Sequence, residues 1–198
     1  MITREQFELI RQKHGEYASW AVWAPASGTP TSNIGDLTIF DVATNPTLLD
    51  TLKNDVVMVG LNISRPLSEP FRNFHDPRPV AKDFKIRHAF ASTVYYGAYM
   101  TDIIKNVEMV YSTALIKHLR ETPSLIHTNV DAFRIELQDL GANKPTILAF
   151  GAVAHALLAK NLNLDEYSNL IRLTHYSHYI TKEDYREEVL TQIRAIAD

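Results

Sequence analysis

The chain has 198 residues, of which 45% are hydrophobic, and it carries a formal net charge of −3. This length and composition are typical of one domain with its own core, so we expect residues 1–198 to form a single unit. The absence of cysteine excludes disulfides, thiolate zinc sites and cysteine nucleophiles, and it fits a reducing compartment. No stretch resembles a secretory signal or reaches the roughly 20 apolar residues of a membrane span, so we expect a cytoplasmic protein without membrane partners.

The first fifty residues predict mostly short elements. Thr3 and Gln6 form a capping-box pattern, so a helix is expected to begin near residue 3. Residues 18–32 contain both tryptophans and two prolines, which is typical of an irregular segment. The sequence LTIF within residues 35–42 predicts a short strand, and an early proline predicts a helix over residues 46–53.

The sequence DVVMVGL at residues 55–61 predicts the clearest strand. It is short, rich in β-branched residues and continuously apolar, as is typical of a central strand buried on both faces. A loop of about 25 residues follows, and loops of that length in compact domains are usually functional or disordered. The two phenylalanines of its FRNF sequence favour order.

The rest of the chain alternates between strands and helices. Strands are predicted for YYGAYM (95–100), TILAF (146–150) and the start of LIRLTHYSHYI (170–180). Helices are predicted over residues 103–119, 124–140, 152–160 and 182–197. This alternation predicts an α/β fold whose central, mostly parallel sheet has four strands and carries helices on both faces.

In such folds, ligands bind beyond the carboxyl ends of the strands. Three polar segments follow predicted strands: GLNIS (60–64), YMTD (99–102) and THYSHY (174–179). We therefore expect these segments to meet at one edge of the sheet and to form the binding site.

Asn62 is the candidate catalytic residue of the first segment. Its amide offers a donor and an acceptor, so it could orient a water or bind a polar ligand, although it is not a strong base. Gly60 would let the backbone approach a ligand closely, and Leu61 and Ser64 complete the candidate binding segment. The alternative is that Asn62 only shapes the turn.

His175 is the candidate catalytic residue of the last segment. An imidazole there could stabilise a developing anion, while Ser177 could bind a phosphate and His178 could contact the substrate. One alternative is a metal site built from His175 and His178 with His75 or Asp76, although the chain has no HExxH motif. Another is a surface loop of aromatic residues without a binding role.

Three further features could contact a ligand. Phe71 and Phe74 of FRNF could stack on a flat base or could simply anchor the loop. Asp102 could hydrogen-bond to a ligand edge or cap the predicted helix that follows. Between residues 65 and 90, six Lys and Arg outnumber three acidic residues, which predicts either a local nucleic-acid contact or a solvated loop.

The order of these segments resembles the uracil-DNA glycosylase superfamily. VVMVGLNIS is similar to the family's first motif in its asparagine version, and FRNF is similar to its base-stacking loop. GAYMTDIIK occupies the position of the middle motif. TILAFGAVAHALL resembles the strand and helix before the last motif, and LTHYSHY resembles that motif itself. The resemblance covers most of residues 55–180 and implies a three-layer α/β/α domain.

The resemblance also implies residue roles. Asn62 matches the water-activating residue, Phe71 or Phe74 the stacking ring, and Asp102 the base-reading position. His175 and Ser177 match the histidine and serine of the last motif, and no cofactor is implied.

The chain departs from the family pattern at several positions. Ile63 replaces the proline after Asn62, and Tyr176 and His178 stand where the family has proline. Asp102 replaces an asparagine. Because an ionised carboxylate only accepts hydrogen bonds, a guanine-like or cytosine-like edge, or a protonated Asp102, would suit this position better than uracil.

Three functions follow from these features. The first is a divergent DNA N-glycosylase that extrudes a base and hydrolyses its N-glycosidic bond. The second is a non-catalytic module that binds a nucleobase, a nucleotide, DNA or another single-stranded nucleic acid. The third is an unrelated α/β hydrolase or metal enzyme.

Overall fold

A computed structural model describes residues 1–25, 34–65 and 67–195. The strands of this part of the chain are β1 (Ser19–Trp20), β2 (Val56–Asn62), β3 (Tyr99–Ile104), β4 (Thr146–Phe150) and β5 (Asn169–Leu173). The α-helices are α1 (Arg4–Lys13), α2 (Leu48–Thr51), α3 (Asp83–Phe90), α4 (Ser112–Glu121), α5 (Pro123–Asp139), α6 (Ala152–Asn161) and α7 (Lys182–Arg194). None of these helices is long and apolar enough to cross a membrane.

The five strands form one sheet in the order β1-β3-β2-β4-β5. All neighbours are parallel except β1, which runs antiparallel to β3 and pairs Trp20 with Tyr99. The predicted α/β class and mostly parallel sheet are confirmed. The sheet has five strands rather than the predicted four, because a strand of two residues is too short to produce a recognisable period.

Both faces of the sheet are covered by apolar side chains. Val57 and Val59 of β2 belong to one hydrophobic cluster, which also contains residues of α1, α5 and α6. Met58, which lies between them, belongs to a second cluster with residues of α3 and α7. Because alternate residues of a strand point to opposite faces, β2 is buried on both sides, as its continuously apolar sequence predicted.

Several predicted boundaries differ from the structure. The predicted LTIF strand is a 3-10 helix, Thr38–Phe40, whose phenylalanine is buried. β3 begins at Tyr99 and continues to Ile104, so the predicted helix over residues 103–119 is wrong in its first part. The loop after β2 is shorter than expected because α3 occupies its end.

The predicted ends of the chain agree better with the structure. Thr3 and Gln6 form the expected capping box at the start of α1, and α7 begins at the predicted residue. Residues 26–32 of the predicted irregular segment and residues 196–197 of the predicted last helix lie outside the described residues.

A buried polar cluster joins α5 to β3 below the carboxyl edge of the sheet. The hydroxyl of Tyr99 donates to Glu136 Oε1 at 2.6 Å. Lys105 Nζ lies 2.7 Å from Glu136 Oε2. This contact is an ion pair rather than an aligned hydrogen bond. Lys105 Nζ also donates a hydrogen bond to the carbonyl of Asp102 at 2.7 Å. Because Glu136 is completely buried, its charge depends on these two partners.

We therefore expect Glu136→Ala to destabilise the fold strongly, because the variant leaves the buried Lys105 ammonium without its counter-charge. The expected loss in free energy of unfolding is about 3–5 kcal/mol, measured by urea denaturation. The matched control is Glu121→Ala, which removes the exposed ion pair with Lys117 and should cost less than about 1 kcal/mol. Equal losses in the two variants would contradict this assignment.

Candidate functional site

A groove of about 630 Å³ lies at the carboxyl edge of the sheet. Its lining includes Asn62, Ser64, Asp102, His175 and Ser177, so residues of the three predicted segments meet there. The middle segment, YMTD, lies within β3 rather than after a strand as predicted. A smaller space of about 80 Å³, here called the inner chamber, adjoins the groove because the two share several lining residues. The inner chamber is lined in part by Asn62, Ser64, Asn73, Phe74, Asp102 and Tyr176.

Asn62 is the last residue of β2, and its amide group has a fixed orientation. Its Nδ2 donates to the carbonyls of Ile63 at 2.9 Å, Val107 at 3.1 Å and Met109 at 3.0 Å. Because the nitrogen is committed to these carbonyls, the oxygen is the atom that Asn62 offers to a ligand or a water in the groove. The amide also ties the chain after β3 to the end of β2.

Asp102 lies inside β3, opposite Gly60 in the register of the sheet. Its side chain is only 4% exposed, and its Oδ2 accepts a hydrogen bond from Asn73 Nδ2 at 2.8 Å. Burial raises the pKa of Asp102 to about 7, although Asn73 and Lys105 favour the charged form. The proposed helix-capping role is wrong, because α4 begins ten residues later.

Gly60 makes room for the carboxyl group of Asp102. A Cβ at this position would overlap Asp102 Oδ1 and would lie 3.3 Å from Phe74 Cζ. The space that glycine leaves is therefore filled by a protein carboxyl group rather than by a ligand. Leu61 borders the groove, but its side chain is mostly buried in the first hydrophobic cluster. Ser64 borders both the groove and the inner chamber.

The two phenylalanines of FRNF lie in different places. Phe71 is completely buried and packs against Phe7 at 5.4 Å and Phe40 at 5.1 Å between ring centroids. The prediction that Phe71 stacks on a ligand is therefore corrected: it anchors the loop in the first cluster. Phe74 borders the inner chamber and contacts the rings of Phe150 and Tyr176.

The backbone of FRNF is strained. Phe71 has a φ of 65° and Phe74 a φ of 61°, a left-handed conformation that is rare for bulky residues and costs roughly 1–3 kcal/mol each. One ring is held in each hydrophobic cluster, and Asn73 lies between them against Asp102. Strain of this kind is typical of binding sites, where the surrounding packing maintains it.

His175 and Ser177 form a compact turn at the edge of the groove. The backbone N–H of Ser177 donates to His175 Nδ1 at 3.1 Å, and the Ser177 hydroxyl lies 2.8 Å from the same nitrogen. A neutral ring therefore carries its proton on Nε2. Burial lowers the pKa of His175, which favours this neutral form, and the ring stacks on Tyr176 at 4.4 Å.

The remaining histidines do not join this group. His178 borders a separate surface cavity beside Tyr179, and its carbonyl accepts from Lys85 Nζ at 2.6 Å. His75 is completely buried, with Nε2 2.8 Å from the carbonyl of Val22. The metal site of His75, His175 and His178 is thus not assembled, and the described part of the chain holds no group of three His, Asp or Glu that could bind a metal ion.

Three of the six basic residues between positions 65 and 90 form ion pairs within the loop. Arg65 and Arg78 pair with Asp76 at 2.7 and 2.9 Å, and Arg72 pairs with Glu69 at 3.0 Å. These pairs reduce the positive charge that the loop offers to a phosphate backbone. Lys82 is exposed at the rim of the groove.

Three groups of the site were not recognised in the sequence. The sequence pattern assigns no role to Asn73, which lies between the two phenylalanines of FRNF, and it marks Tyr176 only as a departure from a motif. Asp83 opens α3 and borders the inner chamber; its carboxylate accepts from the backbone N–H of Asp76 at 2.8 Å, and burial raises its pKa to about 6. No local pattern distinguishes these residues, since their roles depend on contacts between distant segments.

No family model matches the chain, and comparison with curated proteins and with solved structures likewise finds no significant match.

Asp102 gives a testable dependence of stability on pH. Between about pH 4 and 7 the unfolded chain releases the Asp102 proton and the folded chain retains it, so this group makes folding less favourable as pH rises. Asp102→Asn removes the titration. We expect the variant to gain stability relative to the wild type between pH 4 and 8, by on the order of a few kcal/mol, in urea denaturation series.

The control for this series is Asp50→Asn, which replaces an exposed carboxylate on α2. Its stability should follow the wild-type pH curve. A difference between wild type and Asp102→Asn that stays constant with pH would contradict the raised pKa.

Proposed function

We propose that the groove binds a nucleobase, carried by a nucleotide or by nucleic acid such as DNA, and that the protein hydrolyses the N-glycosidic bond of its ligand. In this proposal the domain is a divergent three-layer α/β/α member of the uracil-DNA glycosylase superfamily. The observation that supports it is the meeting of Asn62, Asp102 and His175 around one groove. These residues come from three separate stretches of chain, in the order of the family's motifs.

The inner chamber would hold the base. Phe74 and Tyr176 border it with aromatic rings, and Asp102 presents a carboxyl group at its wall. Flat heterocycles stack on aromatic side chains and are recognised by polar groups at their edges. The sugar and phosphate would lie in the wider groove, close to Ser177 and the exposed Lys82.

The hydrolysis would use Asn62 and His175. The Asn62 carbonyl oxygen holds a water whose oxygen attacks C1′ of the sugar. The bond between C1′ and the base nitrogen breaks, and its electron pair leaves with the base. His175 Nε2–H stabilises this developing negative charge by hydrogen bonding. The base finally takes up the proton that the water releases, so the products are the free base and a sugar with a hydroxyl group at C1′.

The second candidate is a non-catalytic binding module that uses the same groove. It is favoured by the two hydrogen bonds, to the carbonyls of Val107 and Met109, through which Asn62 ties the chain after β3 to β2, since this structural role needs no catalysis. In this case the protein binds a base or nucleotide saturably and releases no product.

The proposal is tested by base release from single-stranded and duplex oligonucleotides that carry deaminated or alkylated bases, measured by mass spectrometry. We expect release with at least one substrate. Asn62→Ala should lower its rate about 100-fold, comparable to the removal of a group that acts in the transition state. The affinity for the free base should change much less, because Asn62 acts on the water.

The control for folding is Asn129→Ala, which removes another buried amide that ties segments together but lies outside the groove. It should lower stability and leave the rate of base release unchanged. Binding without release would support the non-catalytic module, whereas neither binding nor release would overturn both candidates.

A further inference from the structure

We propose that the inner chamber selects heterocycles that carry an amino group at the edge facing Asp102, such as cytosine, over heterocycles that carry a carbonyl there, such as uracil. This inference rests on the proposed function, because it assumes that the chamber binds a base. It follows from a comparison of the hydrogen-bond acceptors and donors around the chamber.

The chamber presents several acceptors that no described group satisfies completely. Asn62 offers its carbonyl oxygen, because its nitrogen is committed to three carbonyls, and in the proposed function this oxygen holds the attacking water. Asp102 receives a side-chain hydrogen bond on Oδ2 from Asn73, which leaves Oδ1 for a ligand. Asp83 receives a backbone N–H on its Oδ2. These three groups border the same chamber.

The amide and arginine donors near the chamber are largely committed to other partners. Asn73 Nδ2 donates both to Asp102 and to the carbonyl of Tyr17, at 2.7 Å. Arg72 donates to the carbonyl of Gly35 at 2.6 Å and to Glu69. The hydroxyls of Ser64 and Tyr176 and one nitrogen of Arg65 remain. The wall formed by Asp83 and Asp102 is therefore matched by a ligand edge that donates.

Asn73 holds Asp102 in this acceptor role. Its hydrogen bond fixes the carboxyl group, and Gly60 leaves the space that Oδ1 occupies. An amino group donates to an ionised carboxylate, whereas a carbonyl requires a donor and binds only when Asp102 is protonated. The preference should therefore change with the protonation of Asp102.

The charged groups around Asp102 come from four directions. Lys105 follows it on the chain after β3, Glu136 of α5 and Asp83 of α3 act on its charge through space, and Asp76 also borders the chamber. Asp76 is paired with two arginines, and Glu136 with Lys105. Asp83 and Asp102 are thus the carboxyl groups of the chamber whose protonation a bound base would sense.

The test compares cytosine, which carries an amino group at C4 and no hydrogen on N3, with uracil, which carries a carbonyl at C4 and a hydrogen on N3. Binding is measured by isothermal titration calorimetry at about pH 8 and about pH 5.5, on either side of the Asp102 titration. At about pH 8 we expect cytosine to bind at least about tenfold more tightly than uracil. This difference is in the range of one good contact to a base edge. Cytosine should weaken and uracil should tighten as the pH falls. Asp102→Asn, which replaces an acceptor with a group that also donates, should bind uracil better than the wild type does.

Control and contrary outcomes separate this inference from the proposed function. The control variant Asp50→Asn should bind both bases as the wild type does. The pH comparison uses the wild type alone, so it does not depend on the folding of any variant. Uracil binding as tightly as cytosine at about pH 8 would overturn the selectivity and leave base binding intact. If cytosine, uracil, adenine and hypoxanthine all fail to bind at either pH, the proposed base site itself is wrong.

Discussion

The hydrogen bond between Asn73 and Asp102 is the constraint on which the site depends. It joins the loop after β2 to the middle of β3, at 2.8 Å between Nδ2 and Oδ2. A buried carboxyl group without such a partner would pay a large desolvation cost. The absence of a side chain at Gly60 gives the group its space. Together these contacts place a titratable carboxyl group in the wall of a chamber that Phe74 and Tyr176 also border.

The strained FRNF turn is maintained by packing on both faces of the sheet. Phe71 enters the cluster that contains α1 and α5, and Phe74 enters the cluster that contains α3 and α7. Burial of two phenylalanine side chains contributes roughly 1.5–3 kcal/mol each, which is enough to offset the backbone strain. The same geometry directs the intervening Asn73 towards Asp102, so the core and the site are built by one segment.

The electrostatics of the site follow from burial rather than from the net charge of the chain. The ion pair of Lys105 and Glu136 lies behind β3, and Lys105 also supports the backbone of Asp102. In front of β3, neither Asp83 nor Asp102 forms a salt bridge within the described part of the chain, and desolvation raises the pKa of both. One side of β3 therefore holds a charge pair with a structural role. The other side holds carboxyl groups whose protonation can change when a ligand binds.

The sequence by itself determined the α/β class, the central position of β2, the capping box at Thr3, and the placement of Asn62 and His175 after strands. These features depend on local periodicity, on propensity, and on the rule that parallel strands end at one edge. Only the tertiary structure decided that Trp20 lies in a fifth strand, that LTIF turns into a 3-10 helix, and that Phe71 and Phe74 enter different clusters. It also decided the pairing of Asn73 with Asp102. The physical reason is that each of these outcomes depends on a partner far away in the chain, and a local pattern contains no information about which distant segment will satisfy a buried group.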